Sequence, residues 1–229
     1  MYRFFEDRRF EGNTNLKEET LHHLRNVIRI NDEEVFQVVF EDGIFSFAYE
    51  GGKIKNLGEV QESNESKVRL SLFFSVLKNN KSEDVLRHAT EIGVSDFYPV
   101  IMDRTIPDIS KKKEKKMERF QKIVESAAKQ SKRDVIPLVH DIIKTEDILK
   151  FSGDLVLCYE DEKRTQLGEI TRSLSNNIGL VIGPEGGISG RELEILSEAK
   201  KVGLGRRILR AETAAITASF YIIHAKECE

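Results

Sequence analysis

Apolar positions change their spacing near residue 66. From Val35 to about Val60 they come as short alternating runs, Val35-Phe36-Gln37-Val38-Val39-Phe40 and then Ile44-Phe45-Ser46-Phe47-Ala48-Tyr49, with turn signals at Asp42-Gly43 and Gly51-Gly52. Alternation with period two predicts strands with one buried face, so this stretch reads as a small β-rich module. Ahead of it, Leu21, Leu24 and Ile28 have helical spacing, which predicts one helix packed on those strands. The polar run Gln61-Glu62-Ser63-Asn64-Glu65-Ser66 is the best linker candidate and sets a boundary between residues 1–66 and 67–229.

After Lys67 strands alternate with helices, the signature of βαβ units and a mostly parallel sheet. Strands are predicted at Val68–Val76, Asp96–Ile101, Ile136–Val139, Asp154–Tyr159, Ile178–Ile182 and Gly203–Leu209. Several are continuous apolar runs, as strands covered on both faces require. Ser82 is placed to cap a helix that ends at Gly93, and Ser189-Gly190-Arg191-Glu192 has capping-box spacing ahead of Leu193, Leu196 and Ala199. The segment from Glu212 to Ala225 predicts a final helix, apolar on more than one face and suited to burial, including against a second subunit. The fold class is therefore α/β, with a small β module in front.

Composition narrows the chemistry. The 229 residues carry 36 Lys or Arg against 39 Asp or Glu, a net charge of −3, so any nucleic-acid site must come from local clustering. One cluster stands out: Lys111 to Arg133 holds ten Lys or Arg and three Glu, an excess of +7 that suits phosphates or, equally, a solvated helix face. Cys158 and Cys228 lack metal or disulfide spacing, and His22, His23, His88, His140 and His224 show no ligand pattern, so no metal is expected. No apolar stretch approaches the roughly 20 residues of a membrane span, and Met1-Tyr2-Arg3-Phe4-Phe5 has no signal-peptide pattern. A reducing cytoplasm is the expected setting.

Two segments carry the candidate chemistry. Ile182-Gly183-Pro184-Glu185-Gly186-Gly187-Ile188-Ser189 joins a buried strand to a capped helix at the carboxyl edge of the sheet, where α/β ligands bind. Its glycines let main chain line a ligand. It has no Gly-Lys-Ser/Thr ending, and Glu185 disfavours phosphate, so an uncharged or cationic ligand fits better; a plain Gly-rich connection is the alternative. Leu204-Gly205-Arg206-Arg207-Ile208-Leu209-Arg210-Ala211-Glu212-Thr213-Ala214 holds three arginines within five positions, poised for substrate phosphates or a base, or simply paired on the surface.

In that order these two motifs resemble the SPOUT-type methyltransferases that modify N3 of a uridine in 16S ribosomal RNA, and the resemblance covers nearly the whole chain. Ala89-Thr90-Glu91-Ile92-Gly93-Val94, Glu125 through Arg133, Arg3-Phe4-Phe5 and His23-Leu24-x-x-Val27-Ile28-Arg29 add to it. The resemblance implies a PUA-like RNA-binding β-barrel at 1–66, a SPOUT domain with a C-terminal trefoil knot at 67–229, a homodimer, and S-adenosyl-L-methionine as cofactor. It places the cofactor among Leu157, Tyr159, Glu160, Ile182, Gly183, Pro184, Glu185, Gly186, Gly187, Leu204, Gly205, Ile208, Leu209, Arg210, Thr213 and Ala214. The chain departs from the family at Glu33-Glu34, where Gly-Asp is common, and at Lys78-Asn79-Asn80, where Lys-Gly-Asp is usual.

A uracil N3 is a poor nucleophile until its imide proton leaves, so the site must take that proton or stabilise the anion. Arg210 is the candidate for the anion; Glu212 either accepts the proton or holds Arg210 in place. Arg3, Arg8, Arg9, Arg25 and Arg29, with Lys129 and Arg133, are the candidates for gripping the RNA of the small ribosomal subunit. Two other readings are a methyltransferase of transfer RNA or of a ribose 2′-hydroxyl, and a non-catalytic RNA-binding assembly factor with the same fold.

Overall fold

A computed structural model describes residues 2–12, 14–106 and 113–228. The chain divides into two compact units, residues 1–65 with 128–135, and residues 66–127 with 136–229.

In the first unit β1 (Tyr2–Phe5), β2 (Val35–Phe40), β3 (Gly43–Glu50) and β4 (Lys53–Glu59) form one sheet in that order. β1 runs parallel to β2, and the other pairs are antiparallel. The predicted helix is present as α1 (Glu18–His22), followed by a π-helical turn at His23–Ile28. Alternation puts Phe4, Phe36, Val38 and Phe47 on one buried face with Leu24 and Ile30, and Phe36 and Phe47 stack at 5.6 Å between ring centres. The resemblance implied a closed barrel. Among the described residues β1 and β4 do not pair, so the sheet is small and open.

The polar run at 61–66 is not a free connection. Glu65 accepts a bidentate pair from Arg133 (2.6 Å at the closest), and Ser63 and the Asn64 amide donate to Asp134 at 2.6 and 2.8 Å. Polar composition misses this because the partners lie some 70 residues away.

In the second unit β5 (Arg69–Ser75), β6 (Asp96–Ile101), β7 (Leu138–Val139), β9 (Asp154–Cys158), β10 (Asn177–Ile182) and β11 (Lys200–Val202) form a parallel sheet in the order β11-β9-β10-β5-β6-β7; β8 (Ile143–Lys144) also pairs with β6. Both faces are covered, which is why the strands read as apolar runs. Leu70, Leu72, Phe74, Leu180 and Ile182 pack with α2 (Lys81–Ile92) and α6 (Ala211–Glu227) through Val85, Leu86, Ala215, Ala218 and Ile222. Phe73, Leu157 and Val181 point the other way, with Ile148, Ile188 and Leu196. The basic segment includes α3 (Lys113–Gln130), while its first two lysines, Lys111 and Lys112, lie outside the described residues.

Three local expectations change. Ser82 is not the helix cap: α2 starts at Lys81, and the Ser82 hydroxyl is buried, accepting from the Leu77 amide at 2.9 Å. Gly203–Leu209 is not a strand; the edge strand is the preceding Lys200–Val202, and Gly205 at φ +99° turns the chain away from the sheet. The predicted burial of α6 holds for Ala215, Ala218, Ile222 and Ile223, but Phe220 and Tyr221 remain exposed on this chain. Two predictions stand as made: Gly93 ends α2, and, after the short α4 (Leu167–Ile170), α5 (Gly190–Ile195) opens on the Ser189–Glu192 capping box.

Candidate active site

β9, β10 and β11 are parallel neighbours, so the loops after them leave the sheet at the same edge. There they surround a cavity of about 520 Å³, within the range of small-molecule sites. Of the sixteen residues expected around the cofactor, fourteen line it: Tyr159, Glu160, Ile182, Gly183, Pro184, Glu185, Gly186, Gly187, Leu204, Gly205, Ile208, Leu209, Arg210 and Ala214. Leu157 does not, because strand alternation turns it fully into the core on the opposite face. Thr213 is exposed on the outside of the first turn of α6, and is not among the lining residues. Cys158, Arg207 and Ala211, which fall within the expected loops, line it too, and Lys81 and Gly203 join from outside them. Gly203 could have been found as a chain neighbour of the motif; Lys81 could not, since α2 is about 100 residues away.

The loop at 183–189 is held from behind. Glu192 is fully buried, and its carboxylate accepts from the Ser189 amide (3.0 Å), the Asp103 amide (2.9 Å) and the Thr145 hydroxyl (2.9 Å). Arg104 donates to the Gly186 carbonyl at 2.8 Å. Arg191 and the Ser189 hydroxyl, both bonded to Asp103 at 2.6 Å, lower its carboxyl to about 2. Gly187 sits at φ +75°, where any side chain is strained, and a Cβ there would push aside Glu160 Oε1, 2.6 Å away. On the third loop the Gly205 amide donates to Gln166 Oε1 at 2.9 Å.

The lining has an apolar part (Ile182, Leu204, Leu209, Ala214) and a charged part, with Glu160 and Glu185 against Lys81, Arg207 and Arg210. Burial pushes the Cys158 thiol up to about 12, so it stays neutral and acts as wall. Arg210 is the residue before α6 and is exposed; among the described residues no hydrogen bond or ion pair engages its guanidinium. Glu212 does not line the cavity but reaches it through Lys81, whose ammonium is 3.3 Å from Glu212 Oε1 and 3.3 Å from Glu185 Oε1. The other Glu212 oxygen is shut off from solvent without a partner. No group of His, Cys, Asp and Glu among the described residues could hold a metal.

The arginines expected to grip RNA separate into two kinds. Arg3 and Arg133 are buried (4% exposed each), Arg3 bonded to Gln37 and paired with Asp134, and Arg133 paired with Glu65. Both are committed inside the fold, which corrects their assignment to RNA. Arg8 is half-buried, paired with Glu6 and lying over the Phe40 ring. Arg9, Arg25 and Arg29 are exposed, and Lys129 is half-buried.

A family model described as an RNA methyltransferase domain matches residues 64–223. Ribosomal RNA small subunit methyltransferase E of Bacillus subtilis is 31% identical over 227 residues, covering 91% of this chain and 89% of that protein. That of Aquifex aeolicus is 31% identical, covering 95% and 96%. A crystal structure of the Neisseria gonorrhoeae ribosomal RNA small subunit methyltransferase E bound to S-adenosyl methionine superposes with a TM-score of 0.85 at 28% identity, over 98% of each chain.

Proposed function

Because the chain belongs to the RNA methyltransferase family that includes the ribosomal RNA small subunit methyltransferases E, we propose that it transfers a methyl group from S-adenosylmethionine to N3 of a uridine in 16S ribosomal RNA. The observation that carries this reading is the meeting of three loops from β9, β10 and β11 around one cavity with the right chemistry. An apolar wall and exposed main chain suit a nucleoside, and Glu160 suits its cationic sulfonium. S-adenosylmethionine supplies an activated methyl group when bound. Tyr159, Glu160, residues 182–187, and Leu204, Gly205, Ile208, Leu209 and Ala214 are the residues that would hold it.

The chain's own part is to bind, align and manage one proton. Arg210, unpaired among the described residues, is placed to stabilise the uracil anion left when N3 loses its proton. Glu212, tied to Lys81, keeps carboxylate charge next to that arginine and is the candidate acceptor of the proton. Holding nucleophile and methyl donor in line supplies a large share of the rate. N3 lies on the Watson–Crick edge, so the target base must be unpaired or extruded.

In this reading the segment from β9 to α6 forms the family's trefoil knot, supported by three consecutive loops closing on one cavity. Knots are rare in proteins, and the likeness to the family is what supports one here. The exposed Phe220 and Tyr221 of α6 support a homodimer. The small sheet β1–β4 acts as a PUA-like RNA-binding module through Arg9, Arg25 and Arg29, and the lysines of α3 extend its grip. The setting is the cytoplasm; no described helix is long and apolar enough to cross a membrane.

The test is to incubate the protein and S-adenosylmethionine with unmodified small ribosomal subunits and, separately, with naked 16S RNA, then analyse digested nucleosides by mass spectrometry. Appearance of 3-methyluridine is the expected result. Cofactor binding with no methylated nucleoside from either substrate would overturn the reading.

A further inference from the structure

Lys81 has no part in the mechanism above beyond its contact with Glu212, yet it stands at a junction. It belongs to the first turn of α2 and lines the cavity. Its Nζ lies 3.3 Å from Glu185 Oε1, on the loop after β10, and 3.3 Å from Glu212 Oε1, in the first turn of α6. One cation therefore holds two carboxylates from separate elements within twice that distance of each other. Among the described residues no other ion pair joins the loop at 183–189 to the start of α6. The side chains of Lys81, Glu185 and Glu212 are 28%, 25% and 18% exposed, so water screens these charges only in part. The remaining Glu212 oxygen is out of reach of solvent and has no partner among the described residues, where Lys81 is the cation paired with this carboxylate.

Resting on the methyltransferase reading above, we propose that Lys81 is a positioning residue for methyl transfer: its ammonium couples the cofactor loop to the first turn of α6, so that the loop around the methyl donor and the Arg210–Glu212 turn that receives the base move as one. Without the cation, two partly buried carboxylates repel across the gap and Glu212 has no fixed direction. A misplacement of Arg210 by about an ångström is enough to cost roughly 100-fold in rate without touching the cofactor's own contacts.

The test compares the full chain carrying Lys81→Met or Lys81→Arg with the natural protein in three measurements. Amide hydrogen exchange of the protein alone is expected to quicken in Lys81→Met at both 183–187 and 211–215, with β5 and β10 unchanged. Single-turnover methyl transfer at saturating cofactor and RNA is expected to fall by about 100-fold, while calorimetric affinity for S-adenosylmethionine changes by no more than a few-fold. Lys81→Arg keeps the cation and should recover most of the rate. Quickened exchange at one segment only or at neither, or a rate that saturating substrates restore in full, would overturn the coupling. If Lys81→Met does not fold, Glu185→Gln cuts one arm of the junction and must by itself quicken exchange at 211–215; unchanged exchange there overturns the proposal. A natural protein that methylates neither RNA substrate would sink the functional reading instead, with the exchange measurement still deciding the coupling.

Discussion

Two residues show how backbone demands outlast changes of side chain. Glu33 and Asn79, where the family commonly has glycine, both adopt left-handed backbone, at φ 67° and 56°. Asparagine tolerates that region because its short amide bonds locally, but glutamate does not. Glu33→Gly is therefore expected to stabilise the protein by up to about 1 kcal/mol, the strain relieved less the extra freedom of the unfolded glycine. Asn79→Gly should be near neutral. Urea denaturation of the two variants checks the order, and equal effects would contradict it. Arg210 makes the complementary prediction for chemistry: exposed and unpaired among the described residues, it can be removed with stability left alone. Arg210→Ala is expected to lower methyl transfer by about 100-fold or more, as loss of a group stabilising a developing anion does, while thermal unfolding and S-adenosylmethionine affinity hold. A rate within a few-fold of the natural protein's would remove Arg210 from the mechanism.

Among elements, an ion pair adds to the backbone pairing that joins the edge strand β11 to β9. Asp154 at the start of β9 accepts from Lys200 at the start of β11 (2.7 Å) and from the Ser175 amide (2.7 Å), and these bonds lower its carboxyl to about 2. An unfolded aspartate titrates near 4. A group whose folded value is depressed contributes stability that is complete above its unfolded value and fades as pH falls through the folded one. Asp154→Asn should therefore lower the unfolding temperature at pH 7, and the gap from the natural protein should close between about pH 4 and pH 2. A pH-independent gap would mean that packing rather than charge is lost. The same edge sets where the third cavity loop begins, because β11 ends at Val202 and Gly203 onward is free to turn over the site.

For the whole molecule, the separation of its arginines by burial decides what mutation does. Reversing the charge of exposed Arg25 and Arg29 is expected to weaken RNA binding and reduce its dependence on salt, with S-adenosylmethionine binding unchanged. Unchanged RNA affinity would dismiss this surface. Arg3→Ala or Arg133→Ala should act on stability instead, each leaving the partly buried Asp134 or Glu65 without its cation but still bound by neighbouring amides, a loss of roughly 1–3 kcal/mol.

The order of strands and helices, the two glycine-rich loops and the capped start of α5 were legible in the chain, because apolar period, glycine placement and capping are local properties carried by neighbouring residues. So was most of the cavity lining, since three loops at one edge of a parallel sheet must converge. Local reading failed where contacts span long distances in sequence. Arg3 and Arg133 looked like RNA contacts because a lone arginine gives no sign of a carboxylate folded against it. Leu157 was placed in the cavity although strand alternation, which depends on where the strand starts, turns it away. Lys81 left no mark at all: it meets Glu185 and Glu212 across about 100 and 130 residues of chain, and only the stacking of α2 against α6 brings them within 3.3 Å. Sequence determined the elements and the kind of ligand; which charges remain free to act was decided by which ones the fold paired, and pairing is a property of tertiary structure.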